Sequence, residues 1–162
     1  MRSFNTFDYV NFMKQFVDGF KTDLELTLVP GMGNAEVPKY PFITYDFVNT
    51  HIDIGASVEL QDQFDIILMF TTHSNLLSQS LNTGSKIMMW FKDREVQYLL
   101  SEQGIDIVQI YDQTQLNNPM AIDTDRRVKF EVRFRVINVE ADESSPDIER
   151  VITSDNIDVK KG

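Results

Sequence analysis

The sequence predicts a single α+β domain, in which an N-terminal helix and a central helical segment pack on a mixed or antiparallel sheet of about five to six strands. Three observations lead to this fold class. Apolar and charged residues alternate strictly over Val128–Val136, as in a strand with one buried face. Apolar residues recur at helical spacing within 74–104. The chain has 162 residues, enough for one well-buried core.

The first predicted element is a helix over Asn5–Phe20. Its apolar residues recur at steps of three and four, which places them on one face: Tyr9, Phe12, Met13, Phe16, Val17 and Phe20. Asn5 is expected to cap the first turn, with Asp8 placed favourably in the helix dipole. We interpret the stripe as core, and docking of a partner subunit is the alternative.

Three strands are predicted next. Leu24–Val29 alternates and ends at Pro30-Gly31, where the glycine spacing fits a turn and does not fit a phosphate-binding loop. Tyr40–Val48 begins beside a proline, which favours a sheet edge or a strand start. An irregular stretch is expected over 49–61. Phe64–Thr71 is apolar on both faces, as a central strand would be.

The central segment is predicted to be helical over 74–104, with an interruption near Asp93 and a C-terminal cap at Gly104. Gly84 weakens the helix interior, so we expect a kink or a close backbone contact there. A strand over Ile105–Ile110 follows directly.

The C-terminal part contains a polar loop, predicted over Asp112–Arg126, before the alternating strand. The chain is broken again at Ser144-Ser145-Pro146, and Ile148–Ile152 is a possible last edge strand. We therefore divide the chain into an α+β domain, 1–140, and an acidic C-terminal extension, 141–162, that ends in a loose tail.

Composition restricts the classes of function. The chain has no cysteine, which excludes disulfides and thiolate metal sites. No segment approaches the roughly 20 apolar residues of a membrane span, and the first residues lack the pattern of a signal peptide, so we expect a soluble protein made in the cytoplasm. The net charge is −10, with seven acidic and three basic residues over 140–162. This charge indicates an ordinary acidic surface or a negative wall along which DNA slides without binding.

Catalytic and metal-binding motifs are sparse, and we expect neither an enzyme, a metal nor a cofactor. His51 and Asp53 are placed on one strand face, but further metal ligands are not evident. His73 lies near Ser74 and Ser78 without a nucleophile-elbow motif, so a small hydrolase is kept as an alternative. Asp65 stands inside the most apolar strand, and a buried hydrogen bond is the favoured explanation.

The favoured binding surface is an interface between subunits. The polar side of the alternating strand carries long charged side chains: Lys129, Glu131, Arg133 and Arg135. We expect them to form ion pairs between subunits, which mainly set register and specificity. The preceding loop supplies the other candidates: Asp112, Asn117, Asn118, Asp123 and Asp125.

Several short motifs, in this order, resemble the neck or tail terminator (tail completion) proteins of long-tailed bacteriophages. They are Pro38-Lys39-Tyr40-Pro41-Phe42-Ile43-Thr44-Tyr45, Trp90-Phe91, Tyr98-Leu99-Leu100, Gly104-Ile105-Asp106-Ile107-Val108 and Phe130-Glu131-Val132-Arg133-Phe134-Arg135-Val136. The resemblance covers about Phe4 to Val139, and the segment after Glu140 has no counterpart in it.

The resemblance implies a structural virion protein in the neck of the phage. It implies a ring, a homohexamer, at the head-proximal end of the tail, which ends tail-tube assembly and contacts the tail-tube protein and the head–tail connector or adaptor. DNA would pass through the lumen without specific binding. Another head–tail adaptor, tube or baseplate component is the alternative within phage assembly.

Overall fold

The computed structural model describes residues 6–31, 36–55, 63–116 and 125–137. These residues form an α+β fold, as predicted. Its elements are α1 Tyr9–Gly19, β1 Leu28–Pro30, β2 Phe42–Asp53, β3 Gln63–Ser74, α2 Leu77–Lys92, α3 Arg94–Glu102, β4 Ile105–Ile110, β5 Thr114–Leu116 and β6 Arg126–Ile137. A π-helical turn, Phe20–Leu24, continues α1.

The strands form one mixed sheet with the order β1-β2-β3-β6-β4. β1 runs parallel to β2, and all other described pairs are antiparallel. β3 pairs with β2 on one side and β6 on the other, so the most apolar strand is central, as predicted. β4 pairs with β6 over 132–136 and β5 pairs with it over 127–129, so together they border one side of β6.

The core lies between the helices and one face of the sheet. Phe16 of α1 packs against Phe134 of β6 with ring centroids 5.0 Å apart, and Phe91 of α2 lies 5.3 Å from Phe70 of β3. Phe12 also contacts Phe134, at 5.6 Å. All five of these rings are buried, so the predicted aromatic stripe of the first helix is core. The fold therefore has two layers, helices on one side and the sheet on the other.

Two predictions for the N-terminal part were wrong in their boundaries. The helix starts at Tyr9, because the side chain of Asp8 accepts a hydrogen bond from Asn11 N at 2.9 Å and caps the first turn in place of Asn5. The strand predicted from Leu24 starts at Leu28. The helix continues through the π-helical turn, and Glu25 then adopts a left-handed conformation with φ 56°.

Further along the chain, β2 continues through 49–53, but its pairing with β3 is irregular between Phe47 and Ile52, within the part where an irregular stretch was expected. The predicted 112–126 loop contains β5, because pairing with β6 forms a strand where the local sequence has no strand pattern. The helix interruption was confirmed: Asp93 ends α2 and caps α3 through bonds from Glu95 N and Val96 N. Gly104 follows α3 with φ 77°, as a C-terminal glycine does.

Close contact at Gly84 was also confirmed, since a Cβ there would lie 3.1 Å from the side chain of Gln113. The predicted break at 144–146, the last edge strand at 148–152 and the 140/141 domain boundary lie outside the described residues. Within those residues, the helices are too short or too polar to cross a bilayer.

Candidate functional site

One face of the sheet has no described helix packed on it, and we call it the open face. Strand pairing places residues of β3 and β6 side by side on it: Asp65 opposite Arg135, Ile67 opposite Arg133, Met69 opposite Glu131, Thr71 opposite Lys129, and His73 opposite Arg127. The predicted row Lys129, Glu131, Arg133 and Arg135 therefore lies on one surface, as alternation required.

A buried carboxylate organises one end of the open face. The side chain of Asp65 is fully buried. Arg133 Nε donates to Asp65 Oδ2 at 2.7 Å, and Arg135 Nε donates to Oδ1 at 2.8 Å with a second bond from its Nη2 at 3.1 Å. Burial acts to raise the pKa of Asp65, but the hydrogen bonds and charges of Arg135 and Arg133 outweigh it and hold that pKa below its usual value.

The expected buried hydrogen bond of Asp65 is thus present, and its partners are two of the predicted interface residues. Arg133 and Arg135 were expected to pair between subunits, and the structure shows both bonded to Asp65 within the subunit. Their side chains are still 28% and 39% exposed. Since each guanidinium has five N–H donors, both retain donors for a further partner.

The middle of the open face differs from its two ends in its ion pairs. Lys129 and Glu131 are partly buried, and neither forms an ion pair with another described residue. They lie opposite the uncharged side chains of Thr71 and Met69. These two charges are therefore the members of the predicted row that are most available to a second chain.

His73 occupies the other end of the open face and is almost fully buried. Its ring stacks on Phe42 with centroids 4.6 Å apart, its Nε2 lies 2.9 Å from Thr44 Oγ1, and its Nδ1 lies 3.4 Å from Asp125 Oδ2. Burial and, to a smaller extent, the charge of Arg127 lower the pKa of His73, although Asp125 opposes this shift. The cationic form of the histidine is therefore disfavoured in the folded chain.

The hydrolase alternative expected His73 beside a serine, and the structure corrects this. Ser74 faces the other side of the sheet, where its hydroxyl donates to Gln79, and Ser78 is exposed on α2. The hydroxyl beside His73 belongs to Thr44, which pairs with Val29 of β1 and Thr71 of β3. The backbone of Thr44 therefore lies between two paired strands. Acyl transfer instead needs free N–H donors that stabilise the oxyanion.

His51 and Asp53 do share a strand face, as predicted, with His51 Nε2 2.8 Å from Asp53 Oδ1. Within the described residues, no group of three or more histidine or acidic side chains is arranged to hold a metal ion. The pair is exposed, and His51 stacks on Phe64 at 4.1 Å. The arrangement is that of a local hydrogen bond at the end of β2.

The predicted loop residues have different environments. Asp112 is exposed between β4 and β5. Oδ2 of Asp125 already has two partners within the subunit. Arg127 Nε donates to it at 2.9 Å, and His73 Nδ1 approaches the same oxygen. Asn117, Asn118 and Asp123 lie outside the described residues.

Sequence reasoning missed the edges of the sheet. β1 covers only Ile43–Tyr45, so the outer side of β2 beyond residue 45 has no described strand beside it. The outer side of β4 likewise has none of the described strands beside it. The charged residues that the other strands add to the open face, Asp46 and Asp106, were also missed, because only strand register identifies them.

The chain matches the phage neck terminator protein family over residues 9–162, which includes the segment after Glu140. No curated protein matches it.

Proposed function

The chain belongs to the phage neck terminator protein family, whose members are structural proteins of the bacteriophage tail, and from this premise we propose that it forms a closed homohexameric ring. The ring lies at the head-proximal end of the tail, in the neck of the virion. It ends tail-tube assembly on one side and contacts the head–tail connector on the other, and DNA passes through its lumen. The subunit is made in the host cytoplasm before it joins the virion.

The observation that carries this proposal, beyond family membership, is the asymmetry of the sheet. Helices cover one face, while the open face carries charged side chains on its β6 side, and no described strand lies outside β4 or outside β2 beyond residue 45. A ring needs two different surfaces that meet head to tail, because a single self-complementary patch gives only dimers. The β4–β5 side of one subunit and the β2 side of the next are such a pair.

Charge on the open face also supports association between copies of the chain. On the open face β6 carries four basic side chains and one acidic side chain, although buried Asp65 binds two of the arginines and the whole chain has a net charge of −10: Arg127, Lys129, Arg133 and Arg135, with Glu131. A positive strip on an acidic protein is complementary to another copy of that protein, and this complementarity favours correct orientation. The described residues contain fifteen acidic and eleven basic side chains, so most of the net negative charge belongs to the other residues of the chain.

The proposal is tested by the mass of the purified protein in solution, measured by light scattering across concentrations. We expect a particle of about six times the 18.8 kDa subunit, and ring-shaped caps at one end of tail tubes in electron micrographs. A particle that stays monomeric at every concentration would overturn the ring. Open-ended tubes formed by the protein alone would identify a tube component instead.

A charge reversal makes the test specific to the open face. Lys129→Glu places a carboxylate next to Glu131 and is expected to reduce the fraction of rings several-fold. Lys86→Glu is the matched control, because Lys86 is exposed on the helical layer. Equal ring fractions for the two variants would contradict the assignment of the open face as the interface.

A further inference from the structure

β2 is much longer than the strand that covers it. β1 pairs with Ile43–Tyr45, which leaves residues 46–53 without a described strand on their outer side. Such an edge presents backbone N–H and C=O groups that accept another strand. Residues 46–53 contain neither lysine nor proline, two residue types that often protect an edge. The pairing of β2 with β3 is irregular between Phe47 and Ile52, and Tyr9 Oη donates to Thr50 O at 2.8 Å, so an added strand would pair mainly with the part of the edge before Thr50.

An apolar groove lies beside this edge, between β2 and α1. It has a volume of about 430 Å³ and is lined by Val10, Met13 and Val17 of α1 and by Tyr45 and Phe47 of β2, with Tyr9 and Lys14 beside them. The side chain of Val10 is 81% exposed. A strand added to β2 would cover these side chains, so the free edge and the groove form one continuous surface, which we call the edge groove.

We propose that the edge groove binds the C-terminal segment of the adjacent subunit, with residues 148–152 added to β2 as an antiparallel strand. This inference rests on the proposed ring and assigns its lateral contact. Ile148 and Ile152 lie four residues apart, so a strand directs both to the same face, where the apolar groove is.

The position at which β6 ends supports this occupant. Ile137 pairs with Gln63, and Asp53 pairs with the adjacent Phe64, so the C-terminal segment starts at the same end of the sheet as Asp53. A strand that enters from this end runs antiparallel to β2. The direction of the added strand therefore follows from the topology.

The distance also fits. Ten residues connect Ile137 to Ile148 and span up to about 33 Å when extended, whereas neighbouring strands lie about 4.8 Å apart. β6 is separated from the β4 edge by one strand, and from the β2 edge of its own subunit by two. In a head-to-tail ring the β4 edge faces the next subunit's β2 edge, so the segment reaches that neighbour.

The test uses introduced cysteines, because the chain has none of its own. Rings are assembled from a mixture of two single variants, Val10→Cys in the groove and Ile152→Cys in the segment, and are then oxidised. Ser85→Cys replaces Val10→Cys in the matched control, since Ser85 lines a different groove, between α2 and α3. Non-reducing gels of the mixtures and of each variant alone measure the linked dimer.

We expect a dimer in the Val10→Cys and Ile152→Cys mixture at least five-fold above either variant alone and above the control mixture. Rings of unchanged mass without this dimer would overturn the inference while the proposed ring stands. A Val10→Cys/Ile152→Cys double variant that links only within one chain would overturn it too, by placing the segment in its own subunit. Loss of the ring in the unsubstituted protein would instead refute the proposed function.

Discussion

The two sides of β6 come from one alternating sequence, but they have different roles in the molecule. On the helix-facing side, five apolar residues are buried in the core: Val128, Phe130, Val132, Phe134 and Val136. On the open side, the intervening residues are charged and keep part of their surface exposed. The helix-facing side determines whether the subunit folds, and the open side is available to determine what the folded subunit binds.

The charged residues on the open side of β6 fall into two groups. Arg133 and Arg135 are bonded to buried Asp65 and are structural as well as exposed, whereas Lys129 and Glu131 have no such bond. A pattern of charged residues therefore does not by itself identify an interface. Only the residues whose removal leaves the subunit folded can report on assembly.

The largest loss of stability is expected on the helix-facing side. Phe134→Ala removes a ring that contacts Phe12, Phe16 and Phe91, and the cavity should lower the free energy of unfolding by about 3–5 kcal/mol. Urea unfolding followed by circular dichroism measures it. Val10→Ala, at an exposed apolar site, is the control and should change stability by less than about 0.5 kcal/mol. Equal midpoints would contradict the assigned core.

The next largest effect is expected at Asp65. Asp65→Asn removes the charge that accepts three hydrogen bonds and should cost about 2 kcal/mol at pH 7. Because the folded pKa lies below the ordinary 3.8, this stabilisation is complete above about pH 4 and is lost as the pH falls further. The difference between the two proteins should therefore shrink toward pH 3 in urea titrations. Asp106→Asn, at an exposed carboxylate opposite Arg135, is the control. A difference between wild type and Asp65→Asn that does not change with pH would contradict the assigned role of Asp65.

A smaller effect is expected at His73. Since its folded pKa lies below 6.5, the unfolded chain binds a proton more readily, and stability should fall as the pH decreases from about 6.5. His73→Gln should flatten this dependence and cost on the order of 1 kcal/mol at pH 7. Unfolding midpoints between pH 5 and 7 measure both. His51→Gln is the control at an exposed histidine, and an identical pH profile for the two variants would refute the prediction.

Much of the fold was predictable from local patterns. The alternation of β6, the apolar run of β3 and the aromatic spacing of α1 each reflect a buried face whose period the sequence records directly. Asp93 and Gly104 were predictable because capping depends on residue type. The start of β1 was not, because Leu24, Leu26 and Leu28 alternate as in a strand, although Leu24 belongs to the π-helical turn and the strand begins at Leu28.

The candidate site was predictable only in part. Alternation placed four charges on one face, but the partner of Arg133 and Arg135 is Asp65, almost seventy residues earlier, and only strand register brings them together. The contact of His73 with Thr44 and Asp125 depends on register in the same way. The free edge of β2 depends on the length of β1, which the sequence overestimated at its start.

The smallest effect on the subunit, and the sharpest test of the comparison, is expected at Glu131. Arg133→Glu would not separate folding from assembly, because a carboxylate there would lie against buried Asp65. Glu131→Lys avoids this problem. The Glu131 side chain has no ion pair with a described residue, and its cross-strand neighbour is Met69. The free energy of unfolding should therefore change by no more than about 0.5 kcal/mol. Ring formation, measured by light scattering, should still weaken, because the reversed charge adds to an already positive strip. A variant that loses stability and keeps its rings would show that the open side of β6 serves the fold, as the helix-facing side does.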